Sequence, residues 1–145
     1  MNTQTSETRA RTPWHLWVVG IVSLLWYGAG TYTIQMAQLG RLPHLSPDEV
    51  AYYAAKPVWL IAITAISTYG SALASALLLM RSRPAVWLFA IALVFILLNN
   101  GIELANGTSR AFANTGATIA TVVIVLLAFA VLLYAHLMRK RGVLR

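Results

Sequence analysis

Apolar residues gather into four runs of 22 to 24 residues, Trp14–Met36, Pro57–Met80, Pro84–Ala105 and Gly116–Met138, separated by shorter polar segments. A hydrocarbon core about 30 Å thick is crossed by roughly 20 apolar residues in a helix, so each run predicts one membrane span. Polar residues sit off-centre within the runs. The first, WHLWVVGIVSLLWYGAGTYTIQM, is apolar early and polar late, as is the third, PAVWLFAIALVFILLNNGIELA. The second and fourth run the other way, with Thr and Ser ahead of Leu and Val. Successive antiparallel helices with this pattern bring all the polar segments to one membrane face. The expected fold is an all-α, four-helix up-down transmembrane bundle over residues 13–138. A flexible polar segment precedes it at 1–12, and a basic tail follows at 139–145.

The connections sharpen that outline. Arg81-Ser82-Arg83 is so short that the second and third spans must be antiparallel neighbours. The longest connection, Ala37 to Lys56, contains Ser46-Pro47-Asp48-Glu49. A serine cap, proline at the first helical position and Glu three residues after the cap form a capping box. It predicts a short external helix over 47–55, with Val50, Tyr53 and Ala54 on the face toward the membrane surface or bundle mouth. Trp14, Trp17, Trp87 and Tyr134 are placed for one interfacial aromatic belt, and Tyr52 and Trp59 for the other.

Charge fixes an orientation. Hydrophobic residues make up 59% and charged residues 10% of the chain, the composition of an integral membrane protein. The first span is longer than the apolar core of a signal peptide and three more follow it, so it is read as retained. Of the eleven Lys and Arg residues, Arg9, Arg11, Arg81, Arg83, Arg139, Lys140, Arg141 and Arg145 flank one face, against Arg41, Lys56 and Arg110 at the other. The positive-inside bias puts both termini in the cytoplasm, N-in and C-in. The net charge of +7 then points to the lipid bilayer, with anionic headgroups at the basic tail, and not to nucleic acid. The chain has no cysteine, which excludes disulfide exchange and thiolate metal sites.

Candidate chemistry concentrates at the polar end. Tyr27, Thr31, Tyr32, Thr33 and Gln35 come from the first span, Thr64, Ser67, Thr68 and Tyr69 from the second. The third supplies Asn99, Asn100, Glu103 and Asn106, and the fourth Thr115, Thr118 and Thr121. Asn99 shares a helix face with Glu103 and with Asn106. Buried polar groups in lipid must find partners, so this set predicts a polar cup open to the outside. Tyr27, Thr31, Ser67, Tyr69, Asn99, Asn100 and Glu103 are its candidate ligand-binding residues. Glu103 is the one carboxylate near a span, and intramembrane carboxylates mark functional sites; Arg110 is its nearest basic residue in sequence. Ser67, Gly70, Ser71, Ala74 and Ser75 form a small-residue face for helix packing, within the bundle or between copies. His15 and His136 fall near the same end of the first and fourth spans, the arrangement a bis-His haem would use, although isolated interfacial histidines are commoner. No catalytic constellation, metal spacing or phosphate loop is present, so neither an enzyme nor a cofactor is expected.

Several of these stretches resemble a family of small four-span inner-membrane proteins of alphaproteobacteria and relatives. They are Thr12-Pro13-Trp14-His15-Leu16-Trp17-Val18-Val19-Gly20, Leu25-Trp26 followed by Gly30, Ser46-Pro47-Asp48-Glu49 before Tyr52-Tyr53, Pro57–Trp59, and the Gly70–Arg83 run ending in two arginines. Members are often labelled sugar transporters without an established activity. The resemblance covers residues 12 to 90 and implies the same fold and membrane location. Family members tend to carry Asn where this chain has Tyr27 and Asp where it has Thr33, departures that remove polarity or charge from the first span.

Two functions are compatible with this pattern. One is a non-catalytic accessory or interaction subunit, packing against a larger membrane protein or against itself. The apolar half favours it, because a transporter needs both faces to reach its site. The alternative is a small oligomeric transporter or binder of a neutral, sugar-like solute held in the polar half.

Overall fold

A computed structural model describes residues 11–112 and 115–144. Most of the polar segment 1–12 lies outside the described residues. The element order is α1 (Trp14–Gln38), α2 (Pro47–Ala55), α3 (Val58–Leu79), α4 (Pro84–Ala105), α5 (Thr108–Ala111) and α6 (Thr115–Lys140). α1, α3, α4 and α6 are each long and apolar enough to cross a membrane.

Local sequence explains the boundaries. Proline supplies the caps or first residues of α1, α2, α3 and α4, where its missing N–H costs nothing. The Ser46 hydroxyl accepts from the Glu49 amide, and the Glu49 carboxylate accepts from the Ser46 amide at 2.8 Å, completing the capping box of α2. Lys56 is then extended ahead of Pro57, as a residue before proline prefers. α1, α3 and α6 close in the same six-residue wrap: Arg41 N–H bonds Met36 C=O, Ser82 bonds Leu77 and Val143 bonds Met138. The left-handed residue in two of these wraps is glycine, Gly40 and Gly142, but in the third it is Arg81 at φ 60°. Its side chain is held in return, with Nε donating to the Val143 carbonyl at 3.2 Å.

α3 packs between α1 and α4, and α4 packs on α6, whereas α1 and α6 hardly approach each other. The four long helices therefore form an open row that curls around one core. Close approach of α1 to α3 depends on Gly20, where a methyl group would lie 2.8 Å from Leu79 Cγ and closer still to Cδ2.

The two ends differ. At the end where α1 begins and α6 finishes, the basic end, Leu16, Leu78, Phe89, Ala135 and Met138 from all four long helices share one apolar core. Val143 and Leu144 turn back into that core, and their carbonyls accept from Arg81 and Arg83. At the opposite, polar end, residues 115–123 of α6 are exposed throughout, so α6 leaves the row as it approaches α5.

Candidate ligand site

The divergence of α6 leaves a cavity of about 230 Å³ between the helices at the polar end. α3 supplies Thr64, Ser67, Thr68 and Ser71, spaced three and four apart and hence on one face. α1 adds Tyr27 and Thr31, α4 adds Asn99, Asn100 and Glu103, and Thr121 comes from α6. Tyr53 and Lys56 lie at the mouth. Below it, toward the basic end, the walls become the apolar residues of the shared core.

One polar chain crosses the site. Lys56 Nζ lies 3.2 Å from Glu103 Oε1; the lysine side chain is 3% exposed and the glutamate 26%. Asn99 Nδ2 donates to the same carboxylate oxygen at 3.4 Å, while Asn99 Oδ1 is 3.0 Å from the Thr64 hydroxyl. That hydroxyl is also 2.9 Å from the Leu60 carbonyl, so its single proton is shared. The Lys56 ammonium further stands 5.6 Å from the Tyr52 ring centroid and 5.9 Å from that of Tyr53, within cation–π range. Burial, reinforced by the Glu103 charge, pushes both phenols above their ordinary pKa. The ammonium thus lies among a carboxylate and two ring faces, surroundings that offset its desolvation.

Other polar groups on the cavity wall are satisfied locally. Thr31 donates to the Tyr27 carbonyl, Ser67 to Thr64, Ser71 to Ser67 and Asn100 to Ile96. Tyr27 is the exception. Its hydroxyl is buried without a hydrogen-bonding partner among the described residues, and such groups in native structures call for an explanation.

Of the residues expected to bind a ligand, six converge here: Tyr27, Thr31, Ser67, Asn99, Asn100 and Glu103. Tyr69 does not. It is 51% exposed, because two residues past Ser67 on a helix is nearly the opposite face. Asn106 is likewise off the site, being the C-cap of α4 and exposed. The ion-pair partner of Glu103 is Lys56 and not Arg110, which lies beyond the left-handed turn at Gly107 and is exposed. On α2 the packed stripe is Glu49, Tyr52, Tyr53 and Lys56, with Val50 and Ala54 turned outward. Tyr52 packs against Phe112, ring centroids 5.5 Å apart and planes tilted by 50°.

The small-residue face lies inside the protomer. Ser67, Ser71, Ala74 and Ser75 are buried, and a Cβ on Gly70 would contact Ala92 of α4 at 3.6 Å. His15 and His136 do not meet: His15 bonds the Tyr134 hydroxyl, whereas His136 lines a groove toward α4. Lys56 is the site residue that sequence reading missed. Its signal was a lone basic residue directly before the proline that opens a span.

Four spanning-length helices and a polar cavity at one end define the class, a multi-pass helical membrane protein. No protein-family model, curated protein or solved structure matches this chain.

Proposed function

We propose that the protein binds a small, neutral, hydrogen-bonding solute or headgroup in the cavity between α1, α3, α4 and α6. The observation that carries this reading is the buried Tyr27 hydroxyl, unpartnered among the described residues and lining a cavity with Asn99, Asn100 and the Lys56–Glu103 pair. A ligand hydroxyl or carbonyl at Tyr27 relieves the desolvation of that phenol. The opposite charges of Lys56 and Glu103 leave the wall close to neutral, which favours a polyhydroxylated ligand over an ion. The cavity falls below the roughly 300–1,000 Å³ of drug-sized pockets, a volume suited to a single sugar-like ring. The clustered Arg and Lys residues orient the basic end to the cytoplasm of a bacterial inner membrane, so the cavity opens to the periplasm. The apolar core beneath it favours binding over conduction through one protomer.

The test is a thermal-shift and calorimetric screen of monosaccharides and polyols on purified protein. At least one should stabilise the wild type, with Tyr27→Phe and Asn99→Ala weakening its binding. Failure of every neutral polyol to bind would reject this reading.

A second reading, an interaction subunit, is favoured by residues 115–123 of α6, apolar or small and exposed throughout. A membrane helix of a larger protein or of a second copy fits against that stretch. A stoichiometric partner retained in mild detergent, and released by Ala120→Trp, supports it.

A further inference from the structure

A second, larger depression lies on the opposite half of the molecule. It is a groove of about 770 Å³ between α4 and α6, walled by Ala90, Phe129 and Leu133 and bordered at the basic end by Trp87, His136 and Arg139. We infer that this groove is a binding site for one anionic phospholipid, its acyl chain along α4 and α6 and its phosphate at Arg139 and His136. The inference is independent of the ligand reading given above.

Three observations carry it. First, length: Phe129 to Arg139 spans ten residues, roughly 15 Å of helix, which is about half of a hydrocarbon core. The groove therefore runs from the headgroup level to the bilayer midplane, the depth of one leaflet. Second, polarity: its walls are apolar and its polar groups are confined to one end, the distribution of a lipid. Third, charge. The Arg139 guanidinium lies 5.9 Å from the Trp87 ring centroid, which keeps it over the groove mouth. Among the described residues all three carboxylates, Asp48, Glu49 and Glu103, belong to the polar end, and the sole ion pair is Lys56–Glu103. Among the described residues Arg139 is thus a cation without a carboxylate partner, beside the further cations Lys140 and Arg141. A transmembrane helix without an acidic residue seated in the groove would bury Arg139 without a counter-charge, which is costly. A lipid phosphate supplies that charge in the geometry arginine prefers.

Native mass spectrometry of the detergent-purified protein, titrated with phosphatidylglycerol and phosphatidylcholine of equal chain length, tests the site. The wild type should retain one phosphatidylglycerol in preference to phosphatidylcholine. Arg139→Gln should lower that preference roughly fivefold, the worth of one basic residue at an anionic surface, and Arg139→Lys should largely keep it. Ala130→Trp, which fills the groove and leaves charge unchanged, should also abolish the bound lipid. Lys140→Gln, the same charge loss one residue further on, should have little effect. Equal losses in Arg139→Gln and Lys140→Gln would reduce the effect to diffuse attraction and overturn the site. So would unchanged lipid retention in Ala130→Trp, or a lipid-free dimer.

Discussion

The His15 imidazole is hydrogen-bonded to the Tyr134 hydroxyl across 119 residues of sequence, with the rings edge to face at 5.7 Å. It ties the first long helix to the last, two helices whose backbones scarcely approach. Tyr134→Phe keeps the ring contact and removes the bond. A loss of about 0.6–1 kcal/mol is expected, the usual worth of such bonds between membrane helices. A double-mutant cycle with His15→Ala, read by unfolding in mixed micelles, should show coupling of that size; strictly additive losses would show that the clasp contributes nothing.

Removing either member of the Lys56–Glu103 pair should be unequal in cost. Glu103→Gln strands an ammonium whose side chain is 3% exposed, whereas Lys56→Gln leaves a carboxylate that still reaches water. The former should cost roughly 3 kcal/mol, the range for an uncompensated buried charge, and the latter distinctly less. The double replacement Lys56→Met with Glu103→Leu should recover much of the loss. Equal destabilisation by the two single replacements would contradict this burial asymmetry.

Gly20 sets the separation of α1 and α3. Gly20→Val should cost roughly 1–3 kcal/mol by overpacking against Leu79, and Leu79→Ala in the same chain should restore part of it. Gly28, with nothing near its Cβ position, is the control: Gly28→Ala should be neutral or slightly stabilising. Thermal unfolding of the three variants decides the matter.

The cap of α2 should respond to acid. Hydrogen bonds from the Ser46 backbone and then its hydroxyl hold the Glu49 carboxyl below its ordinary value. A depressed folded pKa means that the cap is fully formed above the ordinary carboxyl value of about 4.3 and loosens as pH falls through the lower folded one. Amide exchange at Glu49 should therefore quicken only below about pH 4. Glu49→Gln should flatten that dependence, and quickening already at neutral pH would contradict it.

The spans were legible because a membrane leaves few choices. Twenty apolar residues must be helical, and the prolines at 57 and 84 mark where helices begin. The α2 cap was legible because its hydrogen bonds join residues three apart in sequence, Ser46 and Glu49. Facing was harder. Ser67 and Tyr69 are both polar, and only the packing of α3 between α1 and α4 decides that one enters the cavity and the other faces outward. The Glu103 partner is 47 residues away in sequence and is set by the register of α3 against α4, so local reading chose Arg110 instead. Arg81 and Arg83 were read as charges flanking a span, yet both also donate to the returning chain end. Nothing in loop length indicates that the row stays open between α1 and α6.

The serine-lined helix α3 has a mechanical consequence. Ser67, Thr68, Ser71 and Ser75 donate to carbonyls of their own helix. Among the described residues, the side-chain bonds from this region to α4 come from Lys56 and Thr64, at the cavity. α3 is therefore tied by side-chain bonds at the cavity, and again just past its other end by Arg81 on Val143, while the hydroxyls of Ser67, Thr68, Ser71 and Ser75 in between bond within the helix. A tilt about Thr64 would slide methyl and methylene surfaces past one another without breaking a side-chain hydrogen bond between Ser67 and Ser75. Resistance to that tilt comes from side-chain packing, tightest where Leu79 meets Gly20, and from the Arg81–Val143 bond beyond it.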